Sequence, residues 1–274
     1  MSGDPTRRRR DGVLHLAGRE AGAAFQLALR GLDDGVEAEA WGPGGAAVLD
    51  RLAAIVGDAD DPHGFEPPPA LADAHRHHPG LRMGAQGRVW ELAVVAVLGQ
   101  KVTMTETGRA LVALARRHGA PAPGPPWVWL LPGPDCLGTF PSYDLHPLGI
   151  ERKRAETLGR LAREADRLER AAGRGGEALD RALTAIRGIG PWTSALVRDR
   201  ALGDPDAVPV GDYHLPNTVA WGLAGEPRAD DARMLELLEP WAGDRARVLR
   251  LLAVAGLRAP AYGARSTPRD IRRL

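Results

Sequence analysis

The chain is short of several residue types, and each shortage removes a class of chemistry. Cys136 is the only cysteine among 274 residues. That excludes an intramolecular disulfide and a cysteine-ligated iron–sulfur cluster. Lysine occurs only as Lys101 and Lys153, so a mechanism built on a lysine Schiff base has two candidates. No apolar run approaches the roughly 18 residues of a membrane span. The formal net charge is +1, which supplies no global field for a polyanion. Any nucleic-acid binding must come from local geometry, helix ends and basic segments. The basic run Arg7–Arg10 has no long apolar region or cleavage site behind it, so a signal peptide is rejected and a cytoplasmic location is expected.

What is present divides the chain. Residues 1–11 read as a disordered basic tail whose arginines are solvated charge, with help in DNA-backbone contact as the alternative. Residues 12–62 read as a small α+β domain. Residues 13–16 are a short strand. Phe25, Leu27 and Leu29 alternate with polar or small neighbours, as do Val36, Ala38 and Ala40, and the Leu32-Asp33-Asp34-Gly35 turn joins the two runs into a hairpin. Val48, Leu49, Leu52, Ile55 and Val56 follow at helical spacing. Residues 58–69 are rich in Pro, Asp and Gly and read as a linker. Residues 63–260 read as all-helical. Residues 89–98 form the buried central helix, and Thr103 to Glu106 fits a capping box for a helix running to about His118. Residues 121–134 are a Pro- and Gly-rich loop, and 152–171 one long helix. Residues 261–274 are a basic C-terminal tail with Arg265, Arg269, Arg272 and Arg273. The fold class is therefore mainly α with a small N-terminal α+β domain.

Two groups of reactive side chains are set aside. His75, His77 and His78 match no standard zinc spacing and read as a surface cluster. Cys136 reads as a small, at least half-buried residue rather than a nucleophile.

Residues 183–215 organise the rest. An apolar-periodic helix ends at Ile186, and Gly188-Ile189-Gly190 makes a tight turn. Pro191 opens a second helix, and a Pro-rich loop leads to Asp212. Glycine tolerates the left-handed backbone of such a turn, and proline is preset for the first helical position. The second helix would point unpaired N–H groups outward, which suits a phosphate.

Leu183, Ile186, Gly188-Ile189-Gly190-Pro191-Trp192-Thr193 and, about twenty residues on, Val208-Pro209-Val210-Gly211-Asp212 resemble the helix-hairpin-helix and aspartate signature of the DNA base-excision glycosylase superfamily. Within it, the chain resembles the bacterial 3-methyladenine DNA glycosylase II family. Two upstream blocks, Val97-Leu98-Gly99-Gln100-Lys101-Val102-Thr103 and Leu148-Gly149-Ile150 with Lys153-Arg154-Ala155, are similar to that family in order and spacing. The likeness is strong over residues 70–257 and weak over the N-terminal sheet.

The resemblance implies a helix-hairpin-helix glycosylase fold and a role for each motif residue. Gly188, Ile189 and Gly190 would give backbone N–H groups to a DNA phosphate, with Thr193 beside them. The carbonyls of Thr184, Ile186 and Gly188 would hold a monovalent cation. Asp212 would be the catalytic carboxylate, or a helix cap, or both. Trp192 stands where bifunctional relatives carry a Schiff-base lysine, so a monofunctional glycosylase without lyase activity is implied. Its indole would stack on a flipped cationic base, by roughly 0.5–2 kcal/mol, and Tyr213 could line the same pocket. Gln100 and Lys101 fall where family members insert a side chain into the gap left by the flipped nucleotide. Leu196 and Leu251-Leu252-Ala253 stand where the family has pocket aromatics, which implies a narrower or shifted lesion range.

The function read from the sequence is a monofunctional glycosylase of base excision repair acting on alkylated purines in damaged double-stranded DNA. It would act as a monomer with no organic cofactor, no iron–sulfur cluster and no membrane partner. The alternatives are a non-catalytic helix-hairpin-helix DNA-binding protein, a glycosylase with a shifted lesion range, or a lyase using Lys101.

Overall fold

A computed structural model of the chain describes residues 3–260, 268 and 270–272. It opens with an antiparallel sheet of four strands in sequential order, β1 (Arg7–Arg10), β2 (Val13–Glu20), β3 (Ala23–Gly31) and β4 (Val36–Trp41). Leu16 pairs with Leu27, and Leu29 with Ala38. Two-residue turns close the first two hairpins. Asp11-Gly12 (φ 49° and 81°) and Ala21-Gly22 (φ 48° and 81°) take the double left-handed conformation that matches strand twist.

The strand β1 corrects the expectation of a disordered tail over residues 1–11. Arg7 to Arg10 have no apolar alternation, yet Asp11-Gly12 turns them back so that Arg10 pairs with Val13 and Arg7 with Leu16. The backbone ladder, not side-chain burial, makes this strand. Met1 and Ser2 lie outside the described residues, as do Arg265, Arg269 and Arg273 of the C-terminal segment. Arg272 is described and bonds Asp270 at 2.7 Å.

One face of the sheet packs Leu16, Phe25 and Leu27 against Val48 of α1 (Gly45–Asp50), with α2 (Leu52–Val56) following. The other face, at Ala17, meets Ala122, Val128 and Leu130. These belong to a two-stranded ladder, β5 (Ala120–Pro121) and β6 (Trp129–Leu130), inside the stretch read as a loop. Residues 58–69 are pinned rather than free. Asp60 takes two 2.8 Å bonds from Arg247, and the carbonyl of Glu66 accepts from the Trp241 indole at 2.8 Å.

Beyond α3 (Ala72–His77), every residue of α4 (Val89–Leu98) is buried. Around it lie α5 (Met104–His118) and the short α6 (Pro134–Leu137) and α7 (Ser142–Leu145). They are followed by α8 (Arg152–Arg163), α9 (Ala165–Ala172), α10 (Gly176–Thr184) and α11 (Pro191–Ala201). The expected single helix over 152–171 is two helices. The Glu164 N–H turns back to the Leu161 carbonyl (3.1 Å), a tighter i→i−3 bond. That bend keeps Leu168 and Ala171 on the core that Leu158 and Leu161 face.

Helices α4 and α11 run antiparallel. Gly87 N–H bonds the Ala201 carbonyl (2.9 Å) at one end, and Gln100 reaches Thr193 at the other. A second apolar core joins Leu71 and Val208 to α12 (Leu215–Ala224), α13 (Asp231–Leu238) and α14 (Arg245–Val254). Residues 202–214 connect the two cores and carry Asp212.

Two other expectations need correction or relocation. Cys136 is exposed rather than half-buried, because the single turn α6 turns Leu137 inward instead. Leu251 and Leu252 are buried in the second core, where they hold α14 rather than face a cleft. His77 and His78 bond backbone carbonyls one turn back at 2.8 Å, and no cluster of three metal-ligating side chains occurs among the described residues. None of the described helices is long and apolar enough to cross a membrane.

Candidate active site

The hairpin joins α10 to α11 with Ile186 and Ile189 buried beneath it. Asp180 closes its base, accepting from the Ser194 hydroxyl at 2.7 Å. The two glycines differ. Gly188 has φ +100°, and a Cβ there would lie 2.3 Å from Oγ1 of Thr157 on α8. It is required by torsion and by space. Gly190 is extended, with nothing within 4 Å of a Cβ, so neither requirement applies to it.

The first intrahelical bond of α11 runs from Ser194 N–H to the Gly190 carbonyl (3.0 Å). Among the described residues, the N–H groups of Gly188, Gly190, Trp192 and Thr193 have no acceptor. Unpaired donors at a helix start are what an anion finds there. Ile189 does not join them, contrary to expectation. Its N–H donates to the Ile186 carbonyl at 2.9 Å, closing the turn that buries its side chain.

Trp192 and Asp212 meet. The indole Nε1 donates to Asp212 Oδ2 at 2.9 Å. Asp212 Oδ1 accepts from the His214 and Leu215 N–H groups at 2.8 and 2.9 Å, which caps the start of α12. A carboxylate offers about four lone-pair sites. Oδ1 uses two and Oδ2 one, which leaves one on Oδ2. The loop is fixed just upstream, where Gly211 (φ +91°) donates to both carboxylate oxygens of Asp231 at 3.1 Å. Sequence reasoning missed Asp231, whose acidic position at the start of a helix carries no signal of a partner twenty residues earlier.

The segment after α4 faces the hairpin. The Gln100 side chain does not project outward. Its Nε2 donates to the Gly188 carbonyl and to Thr193 Oγ1, both at 2.9 Å. Gln100 is thus a strut between the two motifs, a correction to its expected place as an inserted plug. Lys101 is exposed and left-handed (φ 54°), which is uncommon for a residue with a side chain. Thr103 and Glu106 clamp the following turn with reciprocal bonds, so the capping box is present. Behind Gln100, the buried guanidinium of Arg154 bonds the Leu98 carbonyl at 2.9 Å and seals the end of α4. The Trp192 ring lies beside Gly99, where a Cβ would sit 3.6 Å from its edge.

Tyr213 is 86% exposed and packs edge-on against His214. It stands at open surface rather than in the wall of a closed pocket, because the Asp212 cap turns the next residue away from Trp192. Leu196 is partly buried against the first core. A cavity of about 360 Å³ lies elsewhere, beside Asp60 and Arg247, and is not lined by Trp192 or Asp212.

No protein-family model matches the chain. Over 153 residues it is 35% identical to the probable bifunctional transcriptional activator/DNA repair enzyme AlkA of Mycobacterium tuberculosis, covering 50% of this chain and 28% of that protein. Over 176 residues it is 23% identical to the putative DNA-3-methyladenine glycosylase YfjP of Bacillus subtilis, covering 63% of this chain and 60% of that one. The chain thus spans less than two thirds of either relative. Among solved structures it is similar to a 3-methyladenine DNA-glycosylase from Archaeoglobus fulgidus. The TM-score is 0.73 at 20% identity, covering 92% of this chain and 90% of that one. It is also similar to the Clostridium acetobutylicum 8-oxoguanine glycosylase/lyase bound to double-stranded DNA, with a TM-score of 0.67 at 11% identity and 93% and 98% covered. The chain therefore has the helix-hairpin-helix DNA glycosylase fold, and its sequence is similar to proteins named AlkA and DNA-3-methyladenine glycosylase.

Proposed function

We propose that the chain is a monofunctional DNA glycosylase that releases alkylated purines from damaged duplex DNA. The observation that carries this reading is the 2.9 Å bond from the Trp192 indole to Asp212 Oδ2. It sets a carboxylate and a flat aromatic face side by side next to a backbone anion clip. The relatives' names and the fold support the repair class.

The donors at Gly188, Gly190, Trp192 and Thr193 would hold a phosphate beside the extruded nucleotide. A purine methylated at N3 or N7 is cationic, and the Trp192 face favours a cation. Bond breaking leaves positive charge on the sugar, and the electron pair departs with a base that becomes neutral. The free lone pair of Asp212 Oδ2 faces that charge and orients water for attack on C1′. The proton of the water passes to the carboxylate or to solvent. The products are a free base and an abasic site. Trp192 offers no amine, so no covalent sugar adduct forms there.

No organic cofactor enters this scheme. A monovalent cation at the carbonyls of Thr184, Ile186 and Gly188 belongs to the same proposal. The Ile186 and Gly188 carbonyls each accept one bond, from Ile189 and Gln100, and keep a second lone pair. The protein would act as a monomer on DNA in the cytoplasm.

The test is a duplex carrying N3- or N7-methylpurines, with free base and strand cleavage measured with and without alkali. Base release with nicking only after alkali is expected, and Asp212→Asn should lose it. Unchanged release by that variant would remove Asp212 from the chemistry. Binding without release on any lesion would instead favour a non-catalytic module, a reading that the double capping role of Asp212 Oδ1 also fits. Direct nicking abolished by Lys101→Ala would favour the lyase.

A further inference from the structure

The four arginines of β1 take no part in the site above. The strand is a sheet edge, and all four residues are exposed. Among the described residues, Arg7, Arg8 and Arg9 have no ion pair and no side-chain hydrogen bond. Arg10 contacts Asp11 at 3.3 Å and lies 3.8 Å over the Trp127 ring. A chain with net charge +1 thus concentrates three uncompensated cations on consecutive residues.

Their place in the fold separates them from the hairpin. Thr6, which leads into β1, accepts from Arg88 at 3.0 Å, and Arg88 starts α4. Gln100, just past the other end of α4, holds the hairpin. Ten helical residues span about 15 Å, so the root of β1 and the phosphate clip stand at opposite ends of the central helix.

The geometry points to β1 as a second, separate nucleic-acid surface that binds the phosphate backbone of another DNA segment. An antiparallel strand advances about 3.4 Å per residue, and one DNA strand carries a charge about every 3.4 Å along its axis. Side chains alternate across a strand, so Arg7 and Arg9 lie on one face about 6.8 Å apart, the spacing of every second phosphate, with Arg8 on the other face, and each guanidinium can engage two phosphate oxygens. A lipid surface fits less well, because β1 presents no apolar side chain to insert beside its cations. Charge on an edge strand also discourages strand-to-strand aggregation, and the experiment separates that role from binding. The proposal rests on the DNA-binding reading of the hairpin but not on its catalysis.

The full chain is mixed with two short, differently labelled undamaged duplexes, and stoichiometry and energy transfer are measured by sedimentation and fluorescence. The wild type should hold two duplexes. The triple variant R7S/R8S/R9S should hold one, and R7K/R8K/R9K should keep two. The salt slope of log affinity for the second duplex should be about 2 to 3, at roughly 0.9 per phosphate neutralised. A one-to-one complex for the wild type, or two duplexes retained by the serine variant, would overturn the proposal. So would a second site filled by anionic vesicles or a polyglutamate peptide but not by DNA. The lysine variant guards against loss of the sheet being mistaken for loss of binding. Base release is read separately. Release with one duplex bound fails this inference alone, and two duplexes without release fails only the glycosylase reading.

Discussion

Trp192 on the first turn of α11 and Asp212 in the connection 202–214, 20 positions further along the chain, are joined by one hydrogen bond, indole Nε1 to carboxylate Oδ2, at 2.9 Å. With Oδ1 filled by the His214 and Leu215 N–H groups, Oδ2 holds the indole and keeps the one free lone pair. The predictions below probe this pair and what supports it.

Replacing Trp192 with phenylalanine keeps an aromatic face and removes the donor. Base release under single-turnover conditions should fall about tenfold, as expected for roughly 1.4 kcal/mol from one lost hydrogen bond. DNA affinity should change little. An unchanged rate would mean that the bond does not position Asp212.

At Asp212 the two oxygens can be separated. Asn keeps an acceptor for the His214 and Leu215 N–H groups, so Asp212→Asn should lose activity with little change in Tm. Asp212→Ala also removes the cap, worth about 1 kcal/mol, and should melt a few degrees lower, roughly 2–4 °C for a chain of this size. Equal melting of both variants would contradict the capping role.

Gln100→Ala removes two bonds to the hairpin. Duplex affinity should drop several-fold, because the Gly188 carbonyl and Thr193 hydroxyl lose their common donor. Gln100→Glu should be worse, since it turns a carboxylate toward the Gly188 carbonyl. Anisotropy titrations against the same duplex check both. Binding by both variants at wild-type strength would rule out the strut.

Glu91 is 2% exposed, with one oxygen lacking a hydrogen-bond partner and Arg19 3.7 Å away. Burial pushes its carboxyl above the usual range, against the opposing charges of Arg88 and Arg19. The unfolded chain therefore ionises first as pH rises. Stability should decline from about pH 4.5 upward until the folded carboxyl also ionises. Glu91→Gln should flatten that decline, so its gain in Tm over the wild type should be larger at pH 8 than at pH 5. A gain independent of pH would show that Glu91 does not carry the effect.

The parts of this architecture set by local chemistry were legible in the sequence. The β3–β4 hairpin, the buried run of α4 and the Thr103–Glu106 cap each depend on residues a few positions apart, and each is where the pattern put it. Hidden features depend on distance or on backbone alone. Gln100 reaches Gly188 across 88 positions, so its spacing suggested a plug when its partner makes it a strut. The strand β1 has four arginines and no periodicity, although Asp11-Gly12 was a hairpin signal available to be read. The Ile189 N–H was counted as a donor to DNA because a turn's internal bonds do not show in its letters. The carboxylate and its indole were both visible as residues. Their contact was not.

Gly188 has a consequence for how this hairpin can change over time. Its φ of +100° lies beyond the roughly +50 to +70° that asparagine can adopt, so torsion alone disfavours any side chain. The space disfavours one too, because a Cβ would meet Thr157 Oγ1 at 2.3 Å, Cγ2 at 3.1 Å and Cβ at 3.3 Å. Trimming Thr157 to alanine removes the first two contacts and leaves the third. Substitution at 188 thus needs a shorter residue at 157 together with a small retreat of α8, the helix that packs against α4 and carries Arg154. Drift at the tip of the clip is coupled to the core, so the turn should vary far less than its surface position suggests.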